Sequence, residues 1–269
     1  MVFGERGDMA ATDRSGAGDP ARTLELLWRE PGHGRAGRGP RQGLSTDAVV
    51  AAATALADAE GIEALTMRAL AQRLGVTPMT LYTYVPGKAE LLDLMLDDAY
   101  RHMTRGATAP AASWRERAEA VAHDNRALLR AHPWIASFAV VRPPLGPGLI
   151  GKYEHELGAF EGLGLDDLAM DAALTHLLAF VLSTTRAALA AEAAARAGEQ
   201  SDQEWWETAG PLLARVLDPE RYPLATRVGS AAGEAHGSAY SPEHAYRFGL
   251  TCVLDGLECL IGGRAPAQR

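Results

Sequence analysis

Two short motifs in this sequence have the beginnings of catalytic or cofactor-binding sites. Gly32-His-Gly34-Arg-Ala-Gly37 has the glycine spacing of a dinucleotide-binding loop, and His155-Glu156 begins like the zinc-binding motif of metalloproteases. No strand precedes the glycines, and Ala159 stands where the second zinc-binding histidine is required. Serine-nucleophile, phosphate-loop and paired-cysteine motifs do not occur in the sequence. We therefore expect no catalytic residue, no metal and no cofactor, and we expect that the protein is not an enzyme.

The segment from Thr66 to Val85 indicates a different chemistry, because it predicts two short helices joined by a sharp turn. Thr66 is a typical N-cap residue, and apolar residues follow it at helical spacing: Met67, Leu70, Ala71 and Leu74. Gly75 can adopt the left-handed conformation that ends a helix. Thr77 and Pro78 then begin a second helix, since threonine caps an orphan N–H group and proline has none. This is the pattern of a helix-turn-helix.

The second helix of the pair has one apolar side and one side suited to DNA. Leu81 and Val85 are spaced to face inward. The other side chains lie on or beside the outward face: Pro78, Met79, Thr80, Tyr82, Thr83 and Tyr84. The second helix of a helix-turn-helix enters the major groove of B-DNA. Double-stranded DNA is therefore the predicted partner.

Two flanking helices complete a small domain. Ser45 or Thr46 caps the first, which carries an apolar stripe and ends near Gly61. Gly87-Lys88 opens the other, whose apolar residues are Leu91, Leu92, Met95, Leu96 and Tyr100. The four helices together predict a DNA-binding domain over residues 43–105.

At these residues the segment resembles the N-terminal domain of the tetracycline-repressor (TetR) family. The motifs that carry the resemblance are Leu44-Ser45, the run from Thr66 to Val76 and the run from Leu81 to Lys88. It extends more loosely through later positions: Trp114, His132-Pro133, Arg142-Pro143 and the long helices after Asp166. The resemblance implies a homodimeric repressor that a small-molecule effector releases from a palindromic DNA operator.

The resemblance and the outward face together give the predicted DNA contacts. Tyr82, Tyr84 and Lys88 are suited to phosphates, because hydroxyl and ammonium groups bind phosphate oxygens. Pro78 replaces a glutamine of the tetracycline repressor, so a bidentate base reader is missing and Met79 and Pro78 offer apolar contact to thymine methyl groups. The predicted DNA-binding residues are Thr66, Arg68, Thr77, Pro78, Met79, Thr80, Tyr82, Thr83, Tyr84 and Lys88.

The rest of the chain supplies aromatic side chains and sparse polar groups, the mixture that lines small-molecule pockets. The predicted effector contacts are Trp114, Asn125, Trp134, Phe138, Arg142, Glu156, His176 and Phe180. Each of them taken singly is also compatible with a place in the core or on the surface. Glu156 matches a polar pocket position of the tetracycline repressor. Phe138-Ala-Val-Val141 stands where that repressor has a metal-binding histidine, so a magnesium-tetracycline complex is not expected.

Composition and length agree with an all-α chain in several parts. The 269 residues are 47% apolar, their periodicity is helical, and no alternating β-branched runs occur. We predict a flexible arm over residues 1–42, with 1–21 unstructured, and a ligand-binding and dimerisation domain over 106–269. The helices expected there are 113–131, 133–139, 147–162, 166–196, 202–217 and 242–262, with a loop over 219–241.

The net charge of −8 argues against indiscriminate binding to nucleic acid. The acidic excess lies mainly in residues 106–269, whereas acidic and basic residues balance in 35–105. Within the arm, Arg35, Arg38 and Arg41 have two open interpretations: contact with DNA, or a linker kept soluble by charge.

Cys252 and Cys259 lie too far apart along one predicted helix to pair with each other, so we expect reduced core thiols. We found no stretch of 18 apolar residues and no signal peptide, and therefore expect a cytoplasmic protein without a membrane span.

Two classes of function remain open from the sequence. The first is a ligand-responsive transcriptional repressor. The second is a helical enzyme or cofactor-binding protein with a vestigial DNA-binding domain. A homodimer is predicted in the first case, because pairing two domains reads two half-sites, and the helices after Asp166 and near the C-terminus have more apolar surface than one chain covers.

Overall fold

The computed structural model describes residues 16–30, 44–106, 109, 111–137, 140, 142–198 and 200–262. In these ranges the chain forms twelve α-helices and one 3₁₀ turn, which confirms the all-α prediction. The chain divides into two compact units, residues 1–171 and 172–269. The predicted domain boundaries after residues 42 and 105 stay predictions.

The first unit contains eight helices and the 3₁₀ turn. They are α1 (Pro20–Leu27), α2 (Thr46–Glu60), the turn Ile62–Ala64, α3 (Met67–Arg73), α4 (Pro78–Tyr82), α5 (Lys88–Arg101), α6 (Trp114–Ala131), α7 (Pro133–Ser137) and α8 (Pro147–Leu157). The remaining helices are α9 (Asp167–Arg196), within which the division between the units falls, α10 (Asp202–Val216), α11 (Pro223–His236) and α12 (Pro242–Gly262).

The local signals of the helix-turn-helix act as predicted. The side chains of Ser45, Thr66 and Thr77 accept hydrogen bonds from backbone N–H groups in the first turns of α2, α3 and α4, at 3.1, 3.1 and 3.3 Å. Gly75 has a φ of +66°, the left-handed conformation that only glycine adopts without strain. The chain can therefore turn sharply between α3 and α4.

A common apolar core holds α2 to α5 together. Leu70 and Ala71 of α3, Leu81 of α4 and Val85 are at most 1% exposed. They belong to a buried set that also includes Val49, Ala53, Leu65, Leu91, Leu92 and Met95. Burying this set fixes α4 in place and leaves its other side outward.

Three of the secondary-structure predictions were wrong, either in the position of a helix end or in the presence of a helix. Residues 219–241 are not a loop, because α11 occupies Pro223–His236, with proline in its first turn and Gly237 at φ +63° after its end. The helix expected over 147–162 stops at Leu157. Helix α1 starts at Pro20, capped by Asp19, inside the segment expected to be unstructured. Helix α11 was missed because its glycine and serine residues are typical of a loop, although Leu224 and Val228 have helical spacing.

In the second unit, α9 and α12 share a core in which Leu174, Leu177 and Val181 are buried, as are Tyr246, Leu250 and Leu254. The ring of Phe180 stacks on Tyr246 at 5.8 Å, and Gly249 makes room because a Cβ there would lie 2.4 Å from the Phe180 ring. Helices α10 and α11 have no buried residue, and the Trp206 ring lies close to Gly210 and Gly233.

Two further expectations were corrected. Cys252 and Cys259 are exposed rather than in the core, because they lie on a side of α12 that the chain does not cover. Helix α9 is 30 residues long with a stretch of mean hydropathy 1.4, so one helix of the described chain is long and apolar enough to cross a membrane, contrary to the sequence-based count. Core helices of globular proteins meet the same criterion.

Candidate nucleic-acid interface and effector site

Helix α4 presents its predicted outward side to solvent. Met79 is 74% exposed and Tyr82 is 43% exposed, and Thr77, Pro78 and Thr83 are exposed as well. Thr80 and Tyr84 are half-buried. Because Leu81 and Val85 anchor the opposite side in the core, this face is rigid and accessible to a DNA groove.

The threonines of α4 are already hydrogen-bonded within the helix. The hydroxyl oxygens of Thr77 and Thr80 lie 2.9 Å apart, and the Thr83 hydroxyl donates to the Thr80 carbonyl at 2.6 Å. A hydroxyl has one hydrogen to donate and two lone pairs, so each of them keeps accepting capacity. Their orientations are nevertheless set by the helix, which suits a base-edge contact that needs fixed geometry.

The predicted phosphate contacts surround α4. Thr66 and Arg68 at the start of α3 are exposed, and Lys88 is half-buried at the start of α5. The first turn of α5 has no side-chain cap, because Gly87 precedes it. Its N–H groups and the Lys88 ammonium can attract a phosphate, and the same turn also contains the buried carboxylate of Glu90. The arginines of the arm, Arg35, Arg38 and Arg41, lie outside the described residues.

A buried polar cluster lies on α6 and α8 of the first unit. Glu156 is 2% exposed, and its Oε1 accepts a hydrogen bond from Asn125 Nδ2 at 2.6 Å. Its Oε2 lies 2.6 Å from the ammonium of Lys152, one turn earlier on α8. Asn125 Nδ2 also donates to the carbonyl of Val121, 2.8 Å away. The structure thus brings together two of the predicted effector residues, Asn125 and Glu156, with a cation that was not predicted.

Burial shifts the proton affinities of the groups beside Glu156. Desolvation lowers the pKa of Lys152, while the Glu156 carboxylate opposes that change. The Lys152 ammonium lies 5.3 Å from the centroid of the Tyr100 ring. Desolvation, followed by the carboxylates of Glu156 and Asp97, raises the pKa of Tyr100 well above its ordinary range. The Tyr100 phenol is therefore neutral, and Lys152 has Glu156 as its counter-ion.

Sequence reasoning missed Lys152 and Tyr100 as members of this cluster. The signal for Lys152 was available, because a lysine four residues before a glutamate on one helix face forms an ion pair. Tyr100 was read only as an apolar position of α5.

The other predicted effector residues lie in different surroundings. Trp134 is 1% exposed and its indole N–H donates to Asp58 Oδ1 on α2 at 2.8 Å. Trp114 is half-buried at the start of α6, and Arg142 lines a cleft of about 290 Å³ beside Pro20 and Leu24. His176 is exposed in the second unit, where Phe180 stacks on Tyr246. Phe138 lies outside the described residues.

Two aspartates connect the helix-turn-helix segment to later helices of the same unit. Asp58 on α2 accepts the Trp134 N–H, and the imidazole Nδ1 of His132 lies 2.9 Å from the same carboxylate oxygen. Asp97 on α5 accepts hydrogen bonds from the N–H groups of Gly148 and Leu149, at the start of α8. Neither connection was predicted. Within the described residues, no group of His, Cys, Asp and Glu side chains could hold a metal ion.

A rigid, exposed α4 after a glycine turn defines a DNA-binding protein of the helix-turn-helix class. The family described as bacterial regulatory proteins, tetR family, matches residues 49–95, and the tetracyclin repressor-like C-terminal domain matches residues 107–261. The chain belongs to the TetR family of transcriptional regulators, which confirms the resemblance and the DNA-binding function expected from it.

Relatives support this assignment over the whole chain. The HTH-type transcriptional repressor DrrR1 of Streptomyces coeruleorubidus is 41% identical over 261 residues, 97% of this chain and 94% of that protein. ActR of Streptomyces coelicolor in complex with actinorhodin has a TM-score of 0.65 at 25% identity, covering 84% of this chain and 100% of ActR. The ActR complex with (S)-DNPA gives a TM-score of 0.62 at 26% identity, covering 80% of this chain and 98% of ActR.

Proposed function

We propose that this protein is a homodimeric repressor that binds a palindromic operator and leaves it when a small molecule binds near Glu156. The observation that supports operator binding most directly is the exposed outer face of α4, with Met79 74% and Tyr82 43% exposed, opposite the fully buried Leu81 and Val85. The 41% identity to a transcriptional repressor over almost the whole chain supports the same reading.

In this proposal, contacts to phosphate position the protein and contacts to bases select the sequence. Tyr82, Tyr84, Lys88 and Arg68 serve the phosphates, together with the start of α3 at Thr66. The base-facing set is Thr77, Pro78, Met79, Thr80 and Thr83. Because this set contains no charged or amide side chain, apolar contact to thymine methyl groups and hydroxyl hydrogen bonds carry the discrimination.

A second copy of the chain is the proposed partner of the apolar surface on the second unit. Phe248 is 65% exposed and Leu260 is 45% exposed on α12, while Val216 and Leu224 of α10 and α11 are 79% and 67% exposed. Exposed large apolar side chains in such number on a folded chain are typical of an interface. Two α4 helices related by a two-fold axis then read two half-sites about 34 Å apart.

The proposed effector site is centred on Asn125, Lys152 and Glu156. Buried polar groups must find partners, so a ligand entering this region has to exchange hydrogen bonds with them. Actinorhodin and (S)-DNPA are bound by ActR, and by analogy we propose a small-molecule effector here. The further proposed contacts in the first unit are Trp114, Trp134, Phe138 and Arg142; for His176 and Phe180, which belong to the second unit, an effector contact stays a prediction.

Release follows from linkage between the two sites. If an effector lowers operator affinity a hundredfold, about 2.7 kcal/mol, the operator lowers effector affinity by the same factor. Moving the two recognition helices apart by a few ångströms is enough to weaken operator binding, because the DNA helix fixes the spacing of the half-sites. We propose that residues 43–105 bind DNA and that residues 106–269 bind the effector and form the dimer. We propose that the protein acts in the cytoplasm.

The test begins with duplexes selected from a random library by the purified protein, followed by footprinting on a selected sequence. Protection of a palindrome at nanomolar protein supports the proposal. Actinorhodin added to the complex is the first effector probe, with the Glu156→Ala variant as its control. Failure to enrich any sequence would favour the alternative, a helical enzyme or cofactor-binding protein with a vestigial DNA-binding domain.

A further inference from the structure

Asp97 joins the last helix of the DNA-binding segment to the first turn of α8. It is 2% exposed, and its two carboxylate oxygens accept the N–H groups of Gly148 at 3.1 Å and Leu149 at 2.9 Å. The start of a helix has unsatisfied N–H groups and a partial positive charge, so a carboxylate there is held strongly. Asp97 thus caps α8 from a different helix, 51 residues earlier in the chain.

Two glycines allow this contact to be close. A Cβ on Gly148 would lie 2.0 Å from the main-chain oxygen of Asp97, and one on Gly146 would lie 2.4 Å from its carboxylate. At Gly148 the backbone of Asp97 leaves no space for a Cβ, whereas at Gly146 the Asp97 carboxylate itself would have to shift. The backbone of α8 therefore rests directly on α5, and a movement of α8 cannot be absorbed by flexible side chains between them.

The same two helices carry the buried polar cluster. Lys152 and Glu156 follow the capped turn of α8, and the Lys152 ammonium lies over the ring of Tyr100, one turn after Asp97 on α5. A group that displaces Lys152 or Glu156 therefore acts on the helix whose start is fixed to Asp97. Helix α5 in turn packs its buried face into the core that holds α4.

We propose that Asp97 is the positioning residue that links the effector site to the DNA-binding helices. This inference rests on the proposed function and names its coupling element. With the cap formed, α5 and α8 move together and the recognition helices keep the arrangement that binds DNA. An effector that shifts α8 away from α5 breaks the cap. Reciprocity then requires that DNA binding stabilise the cap.

Amide hydrogen exchange at Gly148 and Leu149 reports on the cap directly, because these N–H groups are the ones that Asp97 accepts. The probe is a duplex selected in vitro by the wild-type protein. We expect saturating duplex to slow exchange of these amides in the wild-type protein by about fivefold or more. A factor of about five is the lower end of the range that is usual for coupling between two binding sites. Unchanged exchange in a wild-type protein that binds the duplex would overturn the inference and leave the proposed function standing.

Variants separate coupling from simple support of the fold. Asp97→Asn keeps the shape but loses the charge and one of the two accepting oxygens, and Gly148→Ala forces α8 away from α5 from the other side. The controls are Asp98→Asn, on the next residue of α5, and Gly151→Ala, where a Cβ meets nothing within 4 Å. Both test variants should bind the duplex about tenfold more weakly and lose the duplex-induced slowing, whereas both controls should behave like the wild-type protein.

The ratio of the amide exchange rates with and without duplex shows whether Asp97 couples the two sites or only supports the fold. If Asp97 only supports the fold, its loss speeds exchange in both states and leaves the ratio intact, which would overturn the proposal. Should Asp97→Asn fail to fold, Gly148→Ala and the wild-type comparison decide the question. Absence of duplex binding by the wild-type protein would instead count against the proposed function itself.

Discussion

The ammonium of Lys152 lies 2.6 Å from Glu156 Oε2, on successive turns of α8, and both side chains are buried. Removing one partner of a buried ion pair leaves the other charge without compensation, which costs about 3 to 5 kcal/mol. We therefore expect Lys152→Met and Glu156→Gln each to lower the free energy of unfolding strongly. The double variant should cost clearly less than the two single changes added together.

Urea denaturation followed by circular dichroism measures this cycle, at one protomer concentration because the stability of the proposed dimer depends on concentration. Strictly additive losses would show that Lys152 and Glu156 do not stabilise each other in the folded protein.

The raised pKa of Tyr100 predicts a loss of stability in alkali. The folded state holds the phenolic proton above pH 10, where the unfolded chain releases it, so the free energy of unfolding falls as the pH rises past 10. The lowered pKa of Lys152 has the opposite effect. The contribution of Lys152 to the free energy of unfolding rises with pH until the pH reaches 10.5, the ordinary pKa of a lysine. Tyr100→Phe should therefore lose less thermal stability than the wild-type protein between pH 9 and pH 11. The exposed Tyr240→Phe is the matched control, and equal pH profiles for wild type and Tyr100→Phe would contradict the prediction.

The phosphate contacts predict a loss of affinity that does not depend on DNA sequence. Tyr82→Phe removes a hydroxyl and Lys88→Ala removes a charge, so both should weaken binding to specific and random duplexes alike. For Lys88→Ala the slope of log affinity against log salt should fall by about one unit. Fluorescence anisotropy at several salt concentrations measures both effects. Arg227→Ala removes an exposed positive charge from α11 and should change neither, so a similar response in that variant would point to bulk charge.

The turn before α4 predicts a backbone effect at Gly75. Its φ is +66° and a Cβ there would meet no atom within 4 Å, so the cost of Gly75→Ala is conformational only. That cost is about 1 kcal/mol, and Gly75→Asn should lose less, because asparagine tolerates the left-handed region better. Gly151→Ala lies inside helix α8 with the same open space and should stabilise the protein slightly. The three variants are compared by their denaturation midpoints. A Gly75→Ala protein with the stability of the wild-type protein would show that the turn tolerates a side chain.

If α12 forms the proposed dimer interface, substitutions at its exposed residues should break the dimer, whereas substitutions at its buried residues should unfold the chain. Phe248 is 65% exposed, so Phe248→Arg should give a folded monomer. Leu254 is 1% exposed within the chain, so Leu254→Arg should unfold the second unit, because an arginine there has neither water nor a partner. Light scattering gives the mass and circular dichroism the helix content. A Phe248→Arg protein that remains a dimer would place the interface elsewhere.

The sequence alone determined the helix-turn-helix, because its signals are local. Thr66 and Thr77 accept hydrogen bonds from N–H groups three residues later, Pro78 has no N–H that would remain unpaired, and Gly75 adopts a positive φ angle. The spacing of Leu70, Ala71 and Leu81 showed which sides of α3 and α4 face the core. The same reasoning failed for α11, where glycine and serine residues indicate a loop although Leu224 and Val228 have helical spacing.

Only the tertiary structure decided how the DNA-binding helices meet the rest of their unit. Asp97 and Gly148 are 51 residues apart, and Asp58 and Trp134 are 76 residues apart, so no periodicity connects them. Glu156 was predicted from a resemblance, and its pairing with Lys152 follows from their spacing on α8, but its hydrogen bond with Asn125 depends on how α8 packs against α6. Local hydrogen bonds can be inferred from neighbours in the sequence, whereas partners in a buried polar network are chosen by packing.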